Sequence, residues 1–484
     1  MSGLDLSRRA FIKSSGALIV AFSLEGCGDI FEGEAADLPG SLDGNPDLDS
    51  WIRIGADGRV TVLTGKVEIG QGIKTALVQI AADELDVPIE NVTLITADTG
   101  KTPDEGYTSG SMSIQRSGTA VRYAAAEARE ILLDLASERL GVSVSTLRVE
   151  DGRILGGDVE LSYGDLVSGT TLRRRATGQA TPKPPSEHRY VGKPIPRIDI
   201  PGKIFAEGSY IQNLRLEGML HARVVRPPSY AARLVSVDDA AIRHMRGVVE
   251  VVRDGSFLAV VAEREEQAIA AADALWAKAQ WEGEVELPPQ EDLPNYLRRM
   301  RSEDDTISEK RDPEAVKRAV HTVEGNYSRP YIAHASIGPS CALALENEDE
   351  GELTVWTHSQ GVFPLRSALA TVLARGEGTI RVVHMDGSGC YGHNGADDVA
   401  CDAALVASHF PGHPIRVQWM REDEHGWEPF GSAMSLLLRG AVDGEGNIVS
   451  WVHEVWSCPH STRPGARGAT LLAAWYIDHP QPPP

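Results

Sequence analysis

The chain has 484 residues, with 69 acidic and 47 basic side chains and a net charge of −22. That balance lacks the basic surface needed to neutralise phosphates, so nucleic acid is not among the expected partners. Hydrophobic residues at 42% and charged residues at 24% exclude a disordered or fibrous chain, and the length suits about three domains.

The first readable feature is an address. Ser7-Arg8-Arg9-Ala10-Phe11-Ile12-Lys13 is a twin-arginine pattern, followed by a mildly apolar stretch from Ala17 to Leu24. That stretch is too short to span a bilayer, which needs about 20 apolar residues. Charged start, apolar middle and small-residue exit together imply export by the twin-arginine route, which carries folded proteins. Residues 1–35 are therefore expected to be signal and linker, and the mature protein periplasmic. Leu24-Glu25-Gly26-Cys27 has a lipobox outline that Glu25 fits poorly.

A first block is expected over 50–170. Two alternating strands lie within Trp51 to Thr64, joined by a turn at Ala56-Asp57-Gly58. A helix is expected from Thr75 to Leu85 and a strand from Val92 to Ala97. A longer helix follows from Gly118 to Leu140, with Gly141 placed to stop it. The basic, Pro-containing stretch from Arg174 to Lys193 reads as a linker. A second block, 186–290, reads as a small α+β domain. It has strands at Gly247 to Val252 and Phe257 to Val261, then a helix at Glu265 to Ala279. The third block, 310–484, has strands at Leu353 to His358, Ile380 to His384, Ile415 to Trp419 and Leu436 to Leu438. Its helix is expected at Ala396 to Ser408.

Cys27, Cys341, Cys390, Cys401 and Cys458 are scattered, with no iron–sulfur or haem spacing. They are expected to be free or buried thiols, so any such redox group belongs to a partner. No H-E-x-x-H occurs, and Pro411 and Gly412 would break a helix carrying His409 and His413. No metal ligand set is therefore assigned.

Three loops can carry chemistry. Gly65-Lys66-Val67-Glu68-Ile69-Gly70-Gln71-Gly72-Ile73-Lys74-Thr75 lies between a strand and a helix. Gly70 and Gly72 allow close approach of a ligand, the amides at the helix start suit a phosphate, and Gln71 offers donor and acceptor together. A tight turn with an incidental Gln fits the same residues. Tyr107-Thr108-Ser109-Gly110-Ser111-Met112-Ser113 places Thr108, Ser111, Met112 and Ser113 just before a helix, as a polar cradle or as an N-cap. Gly387-Ser388-Gly389-Cys390-Tyr391-Gly392 matches the dinucleotide pattern G-x-G-x-x-G. The acidic residue that pattern expects about 20 positions on is missing between Ser408 and His413. A nucleotide-binding oxidoreductase therefore stands as the alternative reading.

Taken together, these segments resemble the molybdopterin-binding large subunit of the xanthine dehydrogenase family, over nearly all of the chain after the signal. Gly65 to Thr75 with Ala82-Asp83-Glu84-Leu85, and Tyr107 to Ser113 with Gly118-Thr119-Ala120-Val121-Arg122, resemble its cofactor-contact motifs. Their N-terminal position resembles the isoquinoline 1-oxidoreductase type. Ile198 to Lys203 through Arg226-Pro227-Pro228 looks like the family's hammerhead domain. Ser359-Gln360 resembles its Thr-Gln, whose Gln contacts the metal's oxo group. Gly387 to Gly392 is then its glycine-rich molybdenum loop, with Ser388 and Cys390 in place of glycines and Tyr391 in place of Phe. His334-Ala335-Ser336-Ile337-Gly338-Pro339 departs from a His-Ala-Thr-Met-Glu-Pro pattern by losing the carboxylate at Gly338. Gly389 to Asp398, Gln418 to Arg421 and Glu424 to Pro429 look more specifically like nicotinate dehydrogenase large subunits.

The resemblance implies an α+β protein: a molybdenum-cofactor-binding domain of the aldehyde oxidase and xanthine dehydrogenase type plus an α/β hammerhead domain. It implies molybdenum-molybdopterin, as such or as its cytosine dinucleotide. The cofactor contacts would be Gly70, Gln71, Gly72, Thr108, Ser111, Met112, Ser113, Gln360, Gly389, Cys390, Tyr391 and Gly392. It implies hydroxylation of an N-heterocyclic aromatic compound or an aldehyde, with an iron–sulfur small subunit and a cytochrome as partners. The family's catalytic base is a glutamate in a Gly-Glu motif, and no such motif follows Pro464. No catalytic residue is therefore assigned, and a truncated, non-catalytic fragment remains a second alternative. The export reading has its own check: replacing Arg8 and Arg9 by Lys should hold the precursor in the cytoplasm, and normal arrival of that variant in the periplasm would refute it.

Overall fold

The computed structural model describes residues 38–168, 173–207, 210–348, 351–459, 463–465 and 468–481, with the backbone of a two-residue strand at 17–18. The twin-arginine segment and Cys27 lie outside the described residues. The strand β1 (Ala17–Leu18) pairs antiparallel with β2 (Ile52–Gly55), which turns into β3 (Val60–Thr64). Helix α1 (Ile73–Leu85) returns the chain, so β4 (Val92–Thr96) lies parallel to β3. Helix α2 (Thr119–Leu140) is preceded by one π turn, Ser113–Gly118, and ends on Gly141 in the left-handed conformation, as a helix stop requires. Its core joins Trp51, Ile54, Leu77, Leu85, Leu132 and Tyr163. A small sheet of β5 (Arg148–Glu150), β6 (Arg153–Gly156) and β7 (Val159–Ser162) closes this block.

Residues 173–193 hold a single short 3-10 turn and are strapped across α1 and α2. Buried Asp83 accepts the backbone amides of Arg189, Tyr190 and Val191 at 2.7–3.0 Å. Neighbouring Glu84 takes the amide of Lys183 at 3.0 Å and the side chains of Arg122 and Arg129. The stretch expected to be a linker is thus held by carboxylates of the Ala82-Asp83-Glu84-Leu85 motif.

The rest of the chain is organised by one large sheet. Strand β8 (Leu220–Val224) is followed by β9 (Arg233–Val237), β10 (Val248–Asp254) and β11 (Phe257–Ala262). Helix α3 (Glu265–Trp276) ends earlier than expected, because Ala279 already starts β12 (Ala279–Glu282), which pairs with β9. The chain continues through β13 (His321–Arg329), β14 (Cys341–Glu346), β15 (Leu353–Thr357), α4 (Val362–Val372), β16 (Ile380–His384), α5 (Ala396–Ala407) and β17 (Ile415–Gln418). The last elements are α6 (Arg421–Trp427), β18 (Met434–Val442) and β19 (Ile448–Ser457). The sheet order is β10-β11-β8-β17-β14-β15-β16, with β8 parallel to β17 and β15 parallel to β16. The boundary expected near residue 290 therefore does not separate two sheets, since β8 hydrogen-bonds directly to β17. Every residue of β11 is buried, which is why it reads as an unbroken apolar run. Strands β13, β18 and β19 form a separate antiparallel sheet.

The first block docks on the open edge of the large sheet. Ala97 accepts the amide of His384 at 2.9 Å and Thr99 donates to Val382 at 3.0 Å, extending edge strand β16. Buried Asp98 clamps Arg381 through two bonds of 2.7 and 3.0 Å. Val67 and Ala97 enter the same apolar core as Val362, Phe363 and Val382.

The strap gives the first structural test. Replacing Asp83 by Ala strands three amides, and a bond to a charged acceptor contributes about 1.5–3 kcal/mol. Urea unfolding should show a loss of that order, and limited proteolysis should cut faster between residues 180 and 195. Wild-type behaviour in both measurements would contradict the strap.

Candidate functional site

The loop after β3 is built around a buried carboxylate. Glu68 accepts the amides of Gly70 and Gly72 at 2.9 Å each and that of Lys74 at 3.2 Å. Arg197 adds a 3.3 Å ion pair to it and a 2.7 Å bond to the Gly70 carbonyl. The positive end of α1 is thus neutralised from within. The expectation that these amides receive a phosphate is corrected here: Glu68 already occupies them. Gly70 (φ 110°) and Gly72 (φ 82°) hold conformations that side chains disfavour, which lets the loop curl around that carboxylate. Gln71 is exposed and braces the loop, accepting from the Ile69 amide at 2.7 Å and donating to the Val67 carbonyl at 2.8 Å.

Val67 links this loop to the second one, since its amide donates to the Thr108 hydroxyl at 2.9 Å. Thr108 in turn meets Gln360, 252 residues away, through a reciprocal pair. The Thr108 amide donates to the Gln360 carbonyl and the Gln360 side chain donates to the Thr108 carbonyl, both at 2.8 Å. Both residues are buried. The structure therefore brings Gln71, Thr108 and Gln360 into one bonded chain. Ser111 is exposed with φ 58°, and Met112 and Ser113 are half-buried at the start of the π turn. Met112 lines a cleft of about 380 Å³ with Lys66, Tyr107, Ser109 and Arg116. Buried Lys66 donates to the Glu105 and Tyr107 carbonyls at 2.6 and 2.8 Å, and burial pushes its ammonium below the ordinary value.

The third loop, after β16, abuts the same region. Gly389 (φ 108°), Tyr391 (φ 57°) and Gly392 (φ 129°) all adopt the left-handed region. A Cβ on Gly387 would lie 2.7 Å from the His358 ring, and one on Gly392 would lie 2.5 Å from the His334 ring. Cys390 is buried, its thiol facing the Gly392 carbonyl, whereas Tyr391 is exposed. The two departures noted above meet here. A Cβ on Gly338 would collide with the Ser388 Cβ, so the serine at 388 fills the space a side chain at 338 needs. The helix that follows begins at Ala396 with buried Asp397 and Asp398 in its first turn. Those carboxylates oppose a pyrophosphate, and β16 is an edge strand, so the dinucleotide alternative finds no support in the fold.

Several charged and polar atoms around this loop were assigned no role from the sequence. Asp397 Oδ1, His334 Nδ1 and Glu428 Oε2 are buried without a hydrogen-bond partner among the described residues. Arg463 donates to Gln360 Oε1 at 2.8 Å and lies 5.1 Å from the Tyr107 ring centre. The Tyr107 hydroxyl bonds the Pro464 carbonyl. Tyr107, His334, Asp397 and Glu428 lie in segments the sequence singles out, but Arg463 had no local signal, and each acquires its role only through tertiary contact. A polar ligand with both donors and acceptors fits the unpartnered atoms, and the glycine backbone leaves room for close approach.

These loops define a molybdopterin-binding protein once the comparisons are added. Residues 17–195 and residues 295–462 each match a molybdopterin cofactor-binding domain. The chain belongs to the xanthine dehydrogenase family of molybdopterin-binding subunits. It is 39% identical over 417 residues to a nicotinate dehydrogenase subunit of Pseudomonas putida, covering 84% of this chain and 35% of that protein. It is 28% identical over 473 residues to a membrane-bound aldehyde dehydrogenase of Gluconacetobacter polyoxogenes, covering 92% of this chain and 60% of the relative. It is 25% identical over 491 residues to the beta chain of isoquinoline 1-oxidoreductase of Brevundimonas diminuta, covering 90% and 62%. The chain thus spans less than two thirds of the length of each of these curated relatives.

The site also carries two buried imidazoles. His384 lies between the Ser359 and Glu68 carbonyls, 3.1 Å from Nδ1 and 3.2 Å from Nε2, so the neutral ring donates to one of them, and His358 accepts the Cys341 amide at 3.3 Å. Burial holds each at about 4, below the ordinary 6.5. The unfolded chain therefore binds protons that the folded chain refuses. The stabilisation is complete above about 6.5 and is lost as pH falls toward 4. Asp398 opposes this, because burial raises it from 3.8 to about 8 and its share is lost as pH rises through that range. The difference between wild type and His384→Gln isolates one imidazole. From pH 7 to pH 5 the variant should lose about 1–2 kcal/mol less stability than wild type. Parallel pH–stability curves would contradict the buried neutral ring.

Proposed function

We propose that this chain is the molybdopterin-binding part of a molybdenum hydroxylase that oxidises an N-heterocyclic aromatic compound, of the nicotinate or isoquinoline kind, or an aldehyde. The observation that carries this reading is the reciprocal bond between Thr108 and Gln360, which joins the two molybdopterin-domain matches at one place. The names of the relatives, nicotinate dehydrogenase and isoquinoline 1-oxidoreductase, supply the substrate class.

When bound, the cofactor supplies the redox chemistry that places an oxygen from water on an electron-poor carbon. The chain's own residues hold and enclose it. Gln360, fixed from one side by Thr108, presents a set amide rather than a mobile one. The Gly389–Gly392 backbone admits close approach. His358 and His384 remain neutral at physiological pH, so they act as hydrogen-bonding groups rather than as charges. Val67, Val362 and Phe363, close in sequence to these loop residues, are buried in the apolar core. An iron–sulfur small subunit and a cytochrome are the partners this reading calls for, as electron exits. Arg8-Arg9 supports delivery to the periplasm with the cofactor already in place.

The test is direct. The full chain, produced with molybdenum-cofactor maturation, should contain molybdenum and pterin in equal amounts by mass spectrometry and fluorescence of the oxidised pterin. Gln360→Leu should lower that content by about tenfold or more while leaving the circular dichroism spectrum intact. A chain that folds but takes up no pterin would sink the reading, as would Gln360→Leu with full cofactor content.

A further inference from the structure

The segment after β19 places one guanidinium where the site needs a charge. Arg463 is half-buried, and among the described residues its contacts are Gln360 Oε1 at 2.8 Å and the Tyr107 ring face at 5.1 Å. Among the described residues no carboxylate comes within ion-pair distance of it. Its backbone is steadied by the bond from the Tyr107 hydroxyl to Pro464. Its charge acts on Tyr107, on His334 and on Cys390 of the third loop. Asp397 acts on Tyr107 and Cys390 too; its Oδ2 lies 3.4 Å from His393, and its Oδ1 is buried without a hydrogen-bond partner among the described residues.

A guanidinium has five donors, and one of them serves Gln360. A partly desolvated cation with only neutral partners is electrostatically incomplete. The planar fork of arginine matches a carboxylate or phosphate through two parallel bonds. Stacking against Tyr107 restricts the plane of that fork, and His334 Nδ1 is a further buried, unpartnered polar atom of the site.

We infer that Arg463 anchors the oxyanion of the ligand held between Tyr107, Gln360 and the Gly389–Gly392 loop. This rests on the reading that the site holds a molybdopterin enzyme's ligands. The shared chemistry is an oxyanion beside a flat ring, and it has two sources: a carboxylate on an N-heteroaromatic substrate, or a phosphate of the cofactor.

Isothermal titration calorimetry on the full chain separates them, with nicotinate, nicotinamide and inorganic phosphate as the probes. Wild type should bind nicotinate or phosphate. Arg463→Gln should weaken that binding at least about tenfold, the effect of losing a paired charge in a partly buried site. Arg463→Lys should weaken it less. Nicotinamide, which lacks the oxyanion, should not respond to either substitution. Loss confined to nicotinate assigns the substrate carboxylate, and loss confined to phosphate assigns the cofactor. The inference is overturned if wild type binds neither anion, or if both bind Arg463→Gln as tightly as wild type. Arg463→Lys keeps the test valid should the glutamine variant misfold. Pterin content, measured separately, reports on the proposed function, so its failure is not mistaken for failure of the anchor.

Discussion

The site depends on one edge of one sheet. Strand β16 would end the seven-stranded sheet with unpaired backbone groups, a state that proteins cover or blunt. Here the segment Ala97–Thr99 of the first block covers it, with Asp98 locked to Arg381. That docking sets the distance between the loop after β3 and the loop after β16. Without it, Thr108 does not reach Gln360, Glu68 does not reach His384, and Lys74 does not reach Asp386. The chemistry-bearing loops belong to separate stretches of sequence, and this seam makes them one wall.

Buried charge holds the seam from both sides. Asp386 pairs with Lys74 from the first block and with Lys203 from the connecting segment. Lys203 also binds Asp199, whose carboxyl is kept well below the usual range chiefly by Arg197. Arg197 completes the circuit by binding Glu68. Such a network adds modest net stability, because desolvating the charges offsets their attraction. Its effect is geometric: each member has a single acceptable position, so the loops around it are placed with little freedom.

Much of this was legible in the sequence, and what was not follows a pattern. The strands within Trp51 to Thr64, α1, α2, β11, β16 and α5 carry periodicity or Gly stops that local rules read well. The three glycine loops were found because Gly, Gln and small hydroxyls cluster there. The amides at the start of α1 read as a phosphate site, because a carboxylate that caps its own loop, as Glu68 does, looks the same in sequence as an idle one. The shared sheet was missed because nothing local says that β8 pairs with β17, two strands almost 200 positions apart. Strands β13 and β19 are largely exposed, so they lack the alternation of a half-buried strand. Gly338 and Ser388 looked like two unrelated losses from a motif. The structure makes them one event, since the serine occupies the space opened by the glycine.

The central claim is that docking on β16 and formation of the Thr108–Gln360 pair are one cooperative unit. Native-state hydrogen exchange on the amides of Thr99, Thr108 and His384 tests it most directly. All three are hydrogen-bonded across the seam, and the account predicts a common opening free energy that falls together in Asp98→Ala. Independent protection of Thr108, unchanged in that variant while Thr99 and His384 are released, would contradict it.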